Sequence, residues 1–152
     1  MKIQCALLLI ATSFMSGCVG KHPFLTIQLC LGDKKNTEQF IQIMKTISIE
    51  RNMRYIDRSE ITQKELIAVG SDPGFRVMNI SAVGPSNTGW AAGNTGLSEY
   101  EVSVSFSEGN DIDGAREFAN ETVSTLRKAW PVYVVPSDRG AMPMGCPNKE
   151  KK

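Results

Sequence analysis

Three groups of residues carry types that do chemistry, and a fourth stretch is suited to binding. His22 is the one histidine in the 152-residue chain. A Ser-His-Asp or Cys-His device needs its base held rigidly by neighbours. His22 stands in a short lead-in ahead of the first periodic segment, which makes it a solvated linker residue. Glu99 and Glu101 fall on one face of an expected strand, roughly 7 Å apart at strand rise. Such a pair does acid and base work when its surroundings separate the two pKa values. The companions here are serines on a face expected to be wet, so the pair is expected to be solubilising, with a share in an interface as the alternative. Asn110-Asp111-Ile112-Asp113-Gly114 has the flavour of a calcium loop. Aligning Gly114 with the sixth-position glycine puts Gly109 at the first position and Asn120 at the last, where such loops need carboxylates. Its acids are therefore read as helix-capping. No metal or cofactor is expected, and the thin supply of acids, bases and nucleophiles argues against an enzyme.

The binding stretch runs from Gly84 to Gly96. It lacks the lysine of a phosphate-binding loop and the G-x-G of a dinucleotide fingerprint. A structureless connection of this length is uncommon and tends to be functional or disordered. Trp90 lies in its middle, flanked by small residues that would let a partner approach closely. Two readings stay open. Trp90 either anchors a partner, with Asn87, Thr88 and Asn94 beside it and Glu99 and Glu101 helping, or folds back to cover the sheet or a disulfide.

The elements that must position these residues follow from periodicity. Phe24 to Leu31 alternates, with Leu25, Ile27, Leu29 and Leu31 on one face, which specifies a strand with one face buried. Asn36 or Thr37 is placed to cap the next helix, whose stripe is Phe40, Ile43, Met44 and Ile47. Residues 52 to 70 are hard to read and are treated as an insertion. Arg54-Tyr55-Ile56-Asp57 fits a short edge strand, and Thr62 to Val69 fits a helical turn or another strand. Phe75 to Val83 and Tyr100 to Ser107 are strands, expected to pair as a hairpin with the glycine-rich stretch as its long tip. Asn110 can cap a second helix, with Asp111 and Asp113 favourable in its first turn. Its stripe is Ile112, Ala115, Ala119, Val123, Leu126 and Trp130, and Pro131 stops it. Val132 to Val135 is a last short strand. Phe24, Phe75, Val77 and Val83 fall on the open side of the sheet, either under the insertion and the proline-rich tail or as an exposed patch.

That order is an α+β fold, β-α-β-β-α-β, similar to the ferredoxin-like sandwich. Four antiparallel strands would carry two helices on one face, with the insertion after the first helix. The fold hosts enzymes and binders alike. Lysine and arginine number 17 against 16 acids, a net charge of +1. No basic field exists for nucleic acid, so that partner is not expected.

Met15-Ser16-Gly17-Cys18 follows Lys2 and a short apolar run from Cys5 to Ala11, and it resembles the lipobox of bacterial lipoproteins. The apolar run is roughly half of the ~20 residues that span a bilayer, which favours a secretory signal. The resemblance implies a signal peptide over 1–17 and a lipid on Cys18, which makes 18–23 a short lipidated tether; periodicity and composition then give an α+β domain over 24–136 and a proline-rich tail over 137–152. Val19, in place of an aspartate, resembles lipoproteins sent to the periplasmic face of the outer membrane. Acyl chains would make the anchoring permanent. The resemblance also leaves Cys30 and Cys146 together in an oxidising compartment, where a disulfide closing the tail is the natural inference. Two buried thiols or a reactive one are the alternatives. Size, address and missing catalytic set are similar to those of periplasmic immunity lipoproteins, which bind and inhibit secreted antibacterial toxins. A structural lipoprotein of an envelope or secretion-system assembly is the alternative.

Overall fold

The computed structural model describes residues 23–136, 142–144 and 146. The expected signal segment, Cys18 and His22 lie outside the described residues. In chain order the elements are β1 (Leu25–Cys30), α1 (Lys34–Glu50), β2 (Arg54–Asp57), α2 (Ser59–Ala68), β3 (Asn79–Val83), β4 (Gly89–Gly93), β5 (Glu101–Ser107), α3 (Ile112–Arg127) and β6 (Val132–Val134). The strands form one antiparallel sheet in the order β2-β3-β4-β5-β1-β6.

The class is α+β as expected, but the sheet has six strands where four were expected. One addition is β2, the short edge strand. The other is β4, Gly89-Trp90-Ala91-Ala92-Gly93, in the stretch expected to be a hairpin tip. Its composition disfavours a strand, yet it pairs on both sides, with β3 and with β5. The expected hairpin partners β3 and β5 are therefore not neighbours. Glycine is required at position 89, because a Cβ there would stand 2.6 Å from the Ala82 carbonyl oxygen.

Alternation places the core on one face of this sheet. Ile27 and Leu29 meet Val104 and Val102 across β1 and β5, and Ile80, Ala82, Trp90 and Ala92 continue the same face. Phe40 and Met44 of α1 and Phe118, Ala119, Val123 and Leu126 of α3 close over it. The stripes on α1 and α3 thus do what their spacing predicts, except that Ile112 is 49% exposed. Neither cap is the residue expected: the first falls before it and the second after it. Asp33 caps α1, accepting from the Asn36 amide at 2.8 Å, because the Asn36 and Thr37 side chains turn instead to the carbonyls of Leu31 and Asp33. Asp111, not Asn110, caps α3 by accepting from the Gly114 amide at 3.0 Å. A carboxylate is well suited to an orphan amide in a first turn.

The opposite face is divided. Towards β2 it is open and lined by small residues. Towards β6 it is crossed by the described residues of the C-terminal tail, which touch the sheet at Met142, Met144 and Cys146. The Gln28 side chain pairs with the Met142 backbone, Glu101 accepts from the Met144 amide, and Cys146 is disulfide-bonded to Cys30 with Cα atoms 5.5 Å apart. This strap buries Gln28 and Glu101 on the face expected to be wet. No helix of the described residues is long and apolar enough to cross a membrane.

Candidate functional site

The six residues expected to form one binding surface are dispersed to four places. Trp90 is in the core, 3% exposed. Its indole N–H donates to Ser48 Oγ at 3.0 Å, and its ring lies 6.2 Å from that of Tyr55. The partner-anchor reading of Trp90 is corrected: strand pairing on both sides of β4 turns its side chain inward. Thr88 is buried and turned back on Pro85, whereas Asn87 is exposed beside a trough on the open face. Glu101 is fully buried beneath the strap, so it is not a solubilising partner to Glu99.

Cys30, Glu101 and Cys146 lie together with ligand atoms within 4.8 Å. Thiolates ligate metals. Here the two sulfurs are spent on each other in the disulfide.

Asn94 and Glu99 do meet, in a pocket of about 350 Å³. This volume falls in the range of small-ligand sites. The pocket lies where the end of β2, the segment entering β3 and the segment joining β4 to β5 meet α1 and α2, at the end of the sheet opposite Pro23. Helix α1 supplies one wall: Lys34, Thr37, Glu38 and Ile41 recur at helical spacing from its first turn. The start of α2 supplies another through Ser59, Glu60 and Gln63. Asp57 sets its entry by accepting the Ser59 amide at 2.9 Å. The incoming strand β3 is pinned to α2 by three bonds. Gln63 accepts from the Val77 amide at 2.8 Å, Ser59 Oγ from the Asn79 amide at 3.0 Å, and Thr62 Oγ1 from the Asn79 side chain at 2.8 Å.

Asn94 is the bolt of the site. Its Oδ1 accepts the Met78 amide at 2.7 Å, and its Nδ2 donates to the carbonyls of Arg76 at 2.8 Å and Glu99 at 3.0 Å. It is 1% exposed, so its place in the pocket is to hold the walls at fixed separation. Ile41, Val77, Met78 and Tyr100 give the pocket apolar surface, and charged groups stand round it. Lys34 is 3.6 Å from Glu38, and Lys64 is 2.6 Å from Glu60. The Lys64 hydrogen bond, and then its charge, hold the Glu60 carboxyl below its ordinary range. Apolar surface with charged groups around it suits recognition of a side chain or small molecule.

Sequence reasoning found Asn94 and Glu99 but missed the walls from α1 and α2. The recurrence of Lys34, Thr37, Glu38 and Ile41 was the available signal, masked by their polarity.

A second concavity, about 460 Å³, lies on the open face between Ser81, Ala91, Ser105 and Ser107, with Pro23 and Asn87 at its edge. It is a shallow trough over small side chains, with Thr26 Oγ1 and Ser105 Oγ 3.1 Å apart beside it. No protein-family model, curated protein or solved structure matches this chain.

Proposed function

We propose that this chain is a membrane-anchored binding lipoprotein of the periplasm, held at the outer membrane by lipid on Cys18. The observation that carries the reading is an opposition of ends. Pro23 enters β1 at one end of the sheet, and the pocket opens at the other, roughly 20 Å away along a six-residue strand. Five residues from Cys18 to Pro23 reach at most roughly 18 Å, so a lipid there would keep the Pro23 end at the bilayer and present the pocket outward. The lipobox-like Met15-Ser16-Gly17-Cys18 supports the anchor.

Within this reading the scaffold is a ferredoxin-like unit made of β1, α1, β4, β5, α3 and β6. The neighbour order β4-β5-β1-β6 supports that reading, with β2-α2-β3 inserted after α1 to widen the sheet and build the pocket. The partner class is a protein, with a secreted antibacterial toxin as the specific case and inhibition as the outcome. No enzymatic step is assigned.

A structural role in an envelope assembly is the second reading. It is favoured by one observation: Tyr133 on the edge strand β6 and Met142 and Met144 on the strap are exposed and line one concavity. Exposed apolar patches and open strand edges mark association surfaces.

Capture with the intact lipidated chain from secreted and envelope fractions tests the reading, alongside Cys18→Ser. The expected result is one secreted enzyme retained and inhibited, with Cys18→Ser lost from the membrane fraction. Retention of envelope scaffold proteins alone would move the assignment to the structural role.

A further inference from the structure

We propose that the pocket takes the side chain of a lysine or arginine presented by the protein partner, an inference that rests on the binding reading above. A basic side chain has an apolar stem and a cationic head. The pocket has the complementary order, with Ile41, Val77, Met78 and Tyr100 for the stem and carboxylates around them for the head.

The balance of charge sets the sign of the ligand. Four carboxylates line the pocket, those of Glu38, Asp57, Glu60 and Glu99, against two cations, Lys34 and Arg76. Lys34 is already paired with Glu38. Among the described residues no ion pair joins Asp57, Glu99 or Arg76 to another group. Two carboxylates therefore stand without an ion pair against one exposed guanidinium. A cation entering the pocket gains two partners, whereas an anion gains one and faces two repulsions. Glu99 is the better placed of the two acids, because Asn94 fixes its backbone from below and its side chain is free to turn to the ligand. Asp57 is partly occupied in capping α2.

The test is a titration of the full chain in detergent micelles, following the methyl signals of Ile41 and Met78. The probe is N-acetyl-arginine amide, with N-acetyl-glutamate amide as its counterpart. The expected result is saturable shifts with the arginine probe alone. Glu99→Gln weakens that binding roughly threefold, the scale of one exposed ionic partner, and Arg76→Ala strengthens it. Neither side chain makes a hydrogen bond among the described residues, so both variants keep the pocket. Shifts with the glutamate probe, lost in Arg76→Ala and strengthened in Glu99→Gln, would overturn the proposal, as would no shift with either probe. The binding reading fails separately. If the arginine probe titrates and no partner is ever captured, the pocket stands and the reading falls. If a partner is captured and the probe does nothing, the reverse holds.

Discussion

The Met144 amide donates to Glu101 Oε1 at 2.6 Å across 43 residues of chain, and the residue opposite Glu101 in the sheet is Cys30, which carries the disulfide to Cys146. One carboxylate and one covalent bond, side by side on neighbouring strands, thus hold the tail across the sheet. The Ser98 amide donates to the other oxygen of Glu101 at 3.1 Å, which ties the loop before β5 into the same knot. Glu101→Ala strands both amides and is expected to lower stability by roughly 1 to 3 kcal/mol. Urea denaturation checks this, and an unchanged midpoint would show that the strap does not depend on the carboxylate.

The disulfide closes a separation of 116 residues. In the chain-entropy account such a link stabilises by about 4 to 5 kcal/mol. Paired Cys30→Ser and Cys146→Ser substitutions are expected to lower the denaturation midpoint by close to that amount. Thiol titration of the unfolded, unreduced chain is expected to find neither Cys30 nor Cys146 reactive.

Trp90 fills the core between β4 and α1 and satisfies its N–H on Ser48, whose own hydroxyl donates to the Met44 carbonyl at 2.7 Å. Trp90→Ala is expected to cost about 3 to 5 kcal/mol, and Trp90→Phe less. Calorimetry separates the two. An Ala variant as stable as wild type would return Trp90 to the surface.

Tyr55 gives the protein a pH dependence at the alkaline end. Burial, and then the charge of Asp57, push its phenol up from 10.0 to about 12. Between those values the unfolded chain releases the proton and the folded chain keeps it, so stability falls as pH rises from about 10 to about 12. Below pH 10 both states hold the proton and this contribution is constant. Tyr55→Phe is expected to flatten that part of the profile. The Tyr55 hydroxyl is also buried without a hydrogen-bond partner among the described residues, so the variant is expected to be no less stable at neutral pH. Denaturation midpoints from pH 8 to 12 for both proteins give the comparison, and parallel curves would contradict it.

How much of this was legible depended on whether a residue's environment is local. The core stripes of β1, β5, α1 and α3 were readable because period alone determines which side chains meet. Strand β4 was not, since the glycines and alanines of Gly-Trp-Ala-Ala-Gly disfavour its state and it is held by neighbours on both sides. Helix α2 buries no residue and so prints no stripe. Alternation assigned Glu101 to the correct face, but its burial comes from a tail 43 residues later. In the sequence, Asn94 and Glu99 stand out only as polar neighbours of Trp90. Their meeting in a pocket depends on α1 and α2 side chains whose polarity made them look like solvated helix surface.

Site-specific photocross-linking in living cells, from three single positions on the full chain, decides whether the pocket is the surface that meets a partner. The positions are Gln63 in the pocket, Ala91 on the open face and Tyr133 on the edge strand. One dominant adduct with a single partner protein is expected from position 63, weakened by Glu99→Gln, and none of that adduct from position 91 or 133. The same adduct from position 133 or 91, with nothing from position 63, would contradict it and place the working surface on the strap or the open sheet.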